Sequence, residues 1–262
     1  MDVLFHLPGG APLYTFSLFL AIGGSLGFYW IAREAPKNAS HDRLNAGLYM
    51  LLGGLAGGRA AFVAVNWPYF RTHLLEIPQA WLGGISWAGA LGGGIIALAL
   101  TAFLTKQSFG ELADSLFPMV AILTISAWLG CWLSGCAYGG EVTSWWGIPA
   151  WDEWGISKSR WPVQPLGALL TLGILWSLEY FQNHKWLQVP GRSASLGMLG
   201  ICLVLWALSY QRSDPTPLWK GYRLDTWSAL VFCTLAGLGL LLSILTTIHP
   251  NNQSPEDWDT EP

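Results

Sequence analysis

Seven runs of mostly apolar residues punctuate the chain: Leu13–Ile31, Leu44–Val65, Leu82–Leu104, Ser115–Ala137, Val163–Phe181, Ser193–Tyr210 and Leu224–Ile248. A helix that crosses a bilayer needs about 20 such residues, because each adds about 1.5 Å to a hydrocarbon core about 30 Å thick. The runs are too long and too continuously apolar for barrel strands, which are shorter and alternate between lipid and lumen. Pro, Asn or charged residues separate them, as in the stretch REAPKNASHDR (33–43). The pattern predicts an all-α integral membrane protein of about seven transmembrane helices. A single membrane domain would cover residues 1–248, and the acidic segment 249–262 reads as a disordered tail. Residues 1–12 hold no Lys or Arg and no small-residue cleavage site stands out behind the first run, so that run reads as a retained helix.

Basic residues orient the bundle. None precedes the first run, whereas Arg33, Lys37 and Arg43 follow it, which predicts an outside N-terminus and, with seven spans, an inside C-terminus. The total count does not discriminate, because Arg71, Lys158, Arg160, Arg212, Lys220 and Arg223 on the outer side equal the inner set in number. The longer connections, 66–81, 138–162 and 211–223, then lie outside. Of 262 residues 52% are hydrophobic and only 11% charged, too few charges for a typical soluble domain. A net charge of −3 with no basic patch excludes nucleic acid as a partner. The 17 Trp, 8 Tyr and 11 Phe predict an aromatic belt at the lipid headgroups.

Polar residues at membrane depth are costly and carry the functional candidates. Arg59 lies well inside the second run; its planar fork of donors suits a phosphodiester, and the alternatives are a structural pair with Asp114 or a side chain that reaches the interface. Asp114, just ahead of the fourth run, reads as a helix cap. Glu179 lies near enough to the end of the fifth run to reach the interface. Glycines gather in GGLAGGR (53–59), GGISWAGALGGG (83–94) and GCAYGG (135–140), either for close helix packing or to let the backbone open beside a lipid. Cys131 and Cys136 fall on different faces of a continuous helix, so they read as small apolar thiols packed among helices. A disulfide requires the helix to end between them, which Gly135, Gly139 and Gly140 would permit. No His is spaced with a Cys as a zinc site would be, so no metal is expected, and no Ser-His-Asp or Cys-His pair emerges from spacing.

Taken in order, several stretches resemble the bacterial prolipoprotein diacylglyceryl transferase family, seven-helix enzymes that move a diacylglyceryl group from phosphatidylglycerol to a lipobox cysteine. GGRAAFV (57–63) resembles the family's Gly-Gly-Arg segment, LGGISWAGALGG (82–93) its Gly-Gly-Met-Ser-Phe-His-Gly-Gly, and LADSLFP (112–118) its Ala-Asp-x-x-Ala-Pro. Residues 127–148 resemble the signature Gly-Arg-x-Gly-Asn-Phe-x-Asn-Gly-Glu, RWPVQPLGALL (160–170) the Arg-His-Pro-Ser-Gln segment, and QRSDP (211–215) a late Arg-Gly-Asp-Pro. The likeness runs over roughly residues 12–245 at low identity. It implies a multi-pass protein of the bacterial inner (plasma) membrane that handles a phosphatidylglycerol-like lipid, with a lipoprotein precursor or a membrane protein as partner and no cofactor. By the resemblance Arg59, Gln164 and Arg212 would contact lipid or phosphate.

The departures are specific. The family's His in the third segment is Ala88 here, its signature Arg is Trp128, the signature Asn and Glu are Cys131 and Cys136, and the His before Pro-Ser-Gln is Trp161. A branch of the family with Gly-Cys-x-x-x-Gly-Cys is similar to GCWLSGC (130–136). Transfer of a glyceryl carbon to a thiol needs a base for the thiol and a cation for the phosphate, and only the cation is visible. Two functions follow: a divergent transferase in lipoprotein biosynthesis, or a catalytically degenerate relative that binds lipid or assembles a membrane complex through the Trp-rich segment 138–162.

Overall fold

A computed structural model describes residues 3–6, 12–35, 39–80 and 83–248. The described chain forms helices α1 (Thr15–Glu34), α2 (Ser40–Val65), the one-turn α3 (Trp67–Phe70), α4 (Trp87–Thr105), α5 (Phe109–Ser134), α6 (Val163–Phe181), α7 (Arg192–Ser209) and α8 (Leu224–Ile248). Six of them, α1, α2, α4, α5, α7 and α8, are long and apolar enough to cross a membrane. The fold is therefore that of an all-α integral membrane protein. The fifth predicted run is present as α6, but Gln164, Pro165 and Glu179 dilute its apolar content. Three small antiparallel ribbons, absent from the hydropathy pattern, complete the chain: β1 (Val3–His6) with β2 (Pro12–Tyr14), β3 (Ile148–Trp151) with β4 (Ser157–Arg160), and β5 (Leu218–Trp219) with β6 (Tyr222–Arg223). The acidic tail 249–262, most of the segment ahead of the first run and Leu82, the predicted start of the third, lie outside the described residues.

Capping chemistry sets the helix ends. The Ser86 hydroxyl accepts from Gly89 N at 3.4 Å, so α4 begins at Trp87. Ser108 accepts from Glu111 N at 3.5 Å and starts α5 at Phe109, well ahead of the predicted Ser115. At the other end Gly135 takes a left-handed φ of 70° and Cys136 N donates to Cys131 O, which stops α5 at Ser134 and not at Ala137.

The helices pack chiefly in the pairs α2–α4, α1–α5 and α7–α8, and α5 runs through the middle against α1, α6 and α7. The α2–α4 seam is built from glycine. A Cβ on Gly93 would overlap the Gly53 carbonyl, and one on Gly89 would crowd the Gly57 carbonyl, so the backbones touch as small residues allow in lipid. One buried core cluster joins α1, α2, α4 and α5 around Leu116 and Met119; a second joins α5, α6 and α7 around Phe117 and Ile201. Large apolar side chains such as Phe103, Leu104, Trp176 and Leu242 point outward, the reverse of a water-soluble bundle and the condition for a lipid-facing surface.

Candidate functional site

Arg59 sits on α2 with its side chain buried, and the segment after α3 folds over it. Its Nε donates to Ile77 O at 2.8 Å, Nη1 to Gly83 O at 2.7 Å and Gly84 O at 3.2 Å, and Nη2 to Glu76 O at 2.6 Å. The rings of Phe62 and Phe70 lie 5.7 and 5.2 Å from the guanidinium carbon. A charge that would be costly in hydrocarbon is thus solvated by backbone carbonyls and aromatic faces. Beside it, a groove of about 660 Å³ runs along α2, lined by Leu52, Leu55, Ala56, Val63, Trp67 and Ile77 among others, with Arg59 the only charged lining residue among those described. An apolar trough with a cation in its wall can accommodate an acyl chain and an anionic head.

Asp114 does not meet Arg59, nor does it cap its own helix. The longer α5 places it inside the helix, where Oδ2 accepts from Gly191 N and Oδ1 from Ala194 N, each at 2.7 Å. It therefore caps α7, and the capping reading is corrected as to which helix. At the same end Arg192 donates to Trp186 O at 2.9 Å and to Ser243 O at 2.7 Å, which ties α7 to α8.

The opposite end of the bundle gathers the remaining polar side chains. Gly140 N donates to Gln211 O and Ser213 N to Tyr138 O, so the segments 138–162 and 211–223 are stitched together. Arg212 and Arg223 share the carboxylates of Asp214 and Asp225 at 2.6 to 3.8 Å, and Trp87 Nε1 donates to Asp225 at 3.0 Å. Arg160, also buried, pairs with Asp152 at 3.1 Å and lies 4.5 Å above the Tyr138 ring. The Tyr138 hydroxyl donates to Glu153. Burial first, then that hydrogen bond and the nearby Glu153 and Asp214 charges, push the Tyr138 phenol well up, so it stays a donor at any physiological pH. One network thereby joins the ends of α4 through α8.

Gln164 opens α6 fully buried; its Nε2 donates to Cys136 O at 3.0 Å while Oε1 has no partner among the described residues. Cys136 itself is bridged to Cys131, with Cα atoms 4.6 Å apart. The expectation of two packed thiols is thus corrected: the left-handed turn at Gly135 ends the helix between them and swings Cys136 back over Cys131. Cys202 and Cys233 remain free thiols. Around the bridge Trp128, Ala137, Val163, Ala168 and Leu208 form a third apolar core with Trp161 against it. The positions that the resemblance equates with polar family residues are therefore filled by Trp128, Trp161 and a cystine, packed as core, while Ala88 lies in the first turn of α4.

Comparison with known proteins adds to this geometry. The family model for prolipoprotein diacylglyceryl transferase matches residues 2–243. The chain belongs to that family. Among its relatives, the phosphatidylglycerol–prolipoprotein diacylglyceryl transferase 2 of Clostridium perfringens is 24% identical over 79% of this chain and 81% of its own length. The transferase of Gluconobacter oxydans is 38% identical over 45% of this chain and 41% of its own, and that of Deinococcus radiodurans 33% identical over 55% and 45%. The chain thus spans most of the first relative and under half of the other two. All three are bacterial proteins, and this family member is likewise a multi-pass membrane protein.

Sequence reasoning missed part of the network in this transferase-family fold. Arg160 and Arg192 are as buried as Arg59, and Arg223 and Asp225 are ion-paired within the fold, yet they stand at helix margins, where charge is ordinary. Arg223 and Asp225 flanking Leu224 at the start of α8 were the one available signal.

Proposed function

We propose that the protein takes a phosphatidylglycerol-type lipid from the outer leaflet of the bacterial inner membrane and transfers its diacylglyceryl group to a cysteine thiol of a lipoprotein precursor. In that step the thiolate sulfur bonds to the glyceryl carbon, the carbon–oxygen bond to phosphate breaks, and glycerol phosphate leaves with the electron pair. The observation that carries the reading is the apolar groove on α2 with Arg59 as its one charge. An acyl chain fits the trough, and the cation draws the phosphate, on which negative charge grows as the bond breaks. Arg212, at the loop-bearing end, has its charge taken up by Asp214 and Asp225, so it holds that end together and leaves the phosphate to Arg59. The free Oε1 of Gln164 is an acceptor, so it suits a hydroxyl of lipid or precursor better than a phosphate oxygen.

The same reading takes α6 as a seventh span and places the N-terminus and the loop-bearing end outside. The Cys131–Cys136 bridge supports that orientation, because disulfides persist on the oxidising side of the membrane.

Complementation tests the activity. In a bacterium depleted of its own transferase, expression of this chain is expected to restore lipid-modified lipoproteins, and Arg59→Ala, at matched membrane abundance, to lower modification by about 10²- to 10³-fold. Absence of rescue by the abundant wild-type protein would overturn transfer. Phosphatidylglycerol retained by that inactive protein in native mass spectrometry would leave lipid binding as its activity.

A further inference from the structure

The segment between α5 and α6 has an unusual distribution of charge. Its five charged residues are all partnered within the fold: Glu141 with Lys158, Asp152 with Arg160, and Glu153 with Tyr138. Beside exposed polar residues such as Thr143, Ser144, Ser157 and Ser159, it presents large apolar side chains outward. Trp145 is 95% exposed, Trp154 80% and Ile156 52%.

The hairpin does not stand away from the bundle. Trp132, in the last turn of α5, donates its indole N–H to Pro149 O at 3.2 Å. The Asp152 carbonyl packs so closely on Gly135 that a Cβ there would collide with it. Strand β3 thus folds back beside the end of α5, and Trp154 follows two residues after the Asp152 that touches it. The β5–β6 hairpin repeats the arrangement at the same end, with Leu218 69%, Trp219 52% and Tyr222 54% exposed. There Lys220 lies over the Trp219 ring at 4.8 Å, with its ammonium available to a phosphate.

We infer that the β3–β4 and β5–β6 hairpins are interfacial anchors that dip Trp145, Trp154, Ile156, Leu218 and Trp219 into the headgroup layer beside the bundle. The partner is a lipid surface. Internal pairing of the charges between α5 and α6 lowers the desolvation cost that would hold the tips in water, and indole rings favour the boundary between headgroup and hydrocarbon. Amphipathic elements of this kind sit about 5–10 Å into the boundary. Lys220 at the β5–β6 tip adds a cation for lipid phosphate beside the apolar side chains. The inference stands on burial and pairing alone and does not depend on the transferase reading.

Depth-dependent quenching tests it on the full chain in nanodiscs. Trp154→Cys and Trp145→Cys, made in a Cys202→Ser, Cys233→Ser background, carry an environment-sensitive fluorophore. Lipids spin-labelled near the headgroup are expected to quench both probes more strongly than lipids labelled deep in the acyl chain, and aqueous iodide to quench them weakly. Strong iodide quenching without lipid quenching would overturn the proposal. So would probes that become protected only when a cysteine-bearing precursor peptide is added, which would make the tips a peptide-docking surface. Photoreactive lipid crosslinked to the unsubstituted protein offers the same reading without mutation: adducts within 145–156 support the anchor, and adducts confined to the long helices overturn it.

Discussion

The Arg59 guanidinium is held by backbone that lies well away from it in sequence. Its depth and its isolation among apolar neighbours marked it, but its four carbonyl partners come from residues 76–84, which no periodicity ties to α2. Replacement by Met would leave those carbonyls short of donors and should cost about 3 kcal/mol of stability, since hydrogen bonds to charged groups are worth about 1.5–3 kcal/mol each before relaxation. Thermal unfolding in nanodiscs would register it. Arg59→Lys, with a compact ammonium in place of the fork, should fall between. Asp114 makes a parallel case on the other side of the bundle. Asp114→Ala removes the acceptor for Gly191 N and Ala194 N and should cost about 1–2 kcal/mol, whereas Asp114→Asn retains one oxygen and should cost less. Faster proteolysis within 182–191 in the Ala variant would place the loss at the start of α7; an unchanged cleavage pattern would argue against the cap.

Hydropathy found the elements and chemistry trimmed them. Each of the seven predicted runs holds a helix, and six of these are long and apolar enough to cross a membrane, where a helix satisfies the backbone within the segment. The ends moved wherever a cap outranked apolarity: Ser108 drew α5 back over polar residues, and Gly135 cut it short of Ala137. The glycines of α2 and α4 were legible only as a choice between packing and opening, and their close carbonyl contacts decide for packing at Gly53, Gly57, Gly89 and Gly93. Gly93→Ala should therefore separate the α2–α4 pair and markedly lower the unfolding temperature, while Gly24→Ala, where a methyl group meets nothing within 4 Å, should leave it unchanged or slightly raised. Equal losses at the two positions would mean that the seam contributes nothing special. The ribbons escaped prediction because strands this short carry too few residues for a period-two signal to emerge.

At the scale of the whole molecule the disulfide is the feature that links fold, compartment and orientation. Spacing alone left it open, because whether residues five apart can bridge depends on where the helix stops, and that hung on the single left-handed turn at Gly135. Once formed, the bridge closes a small loop, for which chain entropy gives about 2 kcal/mol. It also fixes the Cys136 carbonyl that Gln164 Nε2 holds at the head of α6. Cys131→Ser with Cys136→Ser should lower stability by about that amount and loosen the junction of α5, α6 and the 138–162 segment, seen as faster amide exchange there. The bridge further divides the four cysteines by location, since Cys202 and Cys233 stay as thiols within α7 and α8. In intact cells a membrane-impermeant maleimide is expected to leave the untreated protein unlabelled and, after an impermeant phosphine reductant, to modify Cys131 and Cys136. Both reagents act only from outside, so this result requires the loop-bearing end to face outward, with the head of α1 on the same side because four spans, α1, α2, α4 and α5, separate the two. Labelling that needs permeabilised cells would invert the bundle and put the groove at Arg59 on the inner leaflet, where transfer to a thiol outside could not take place.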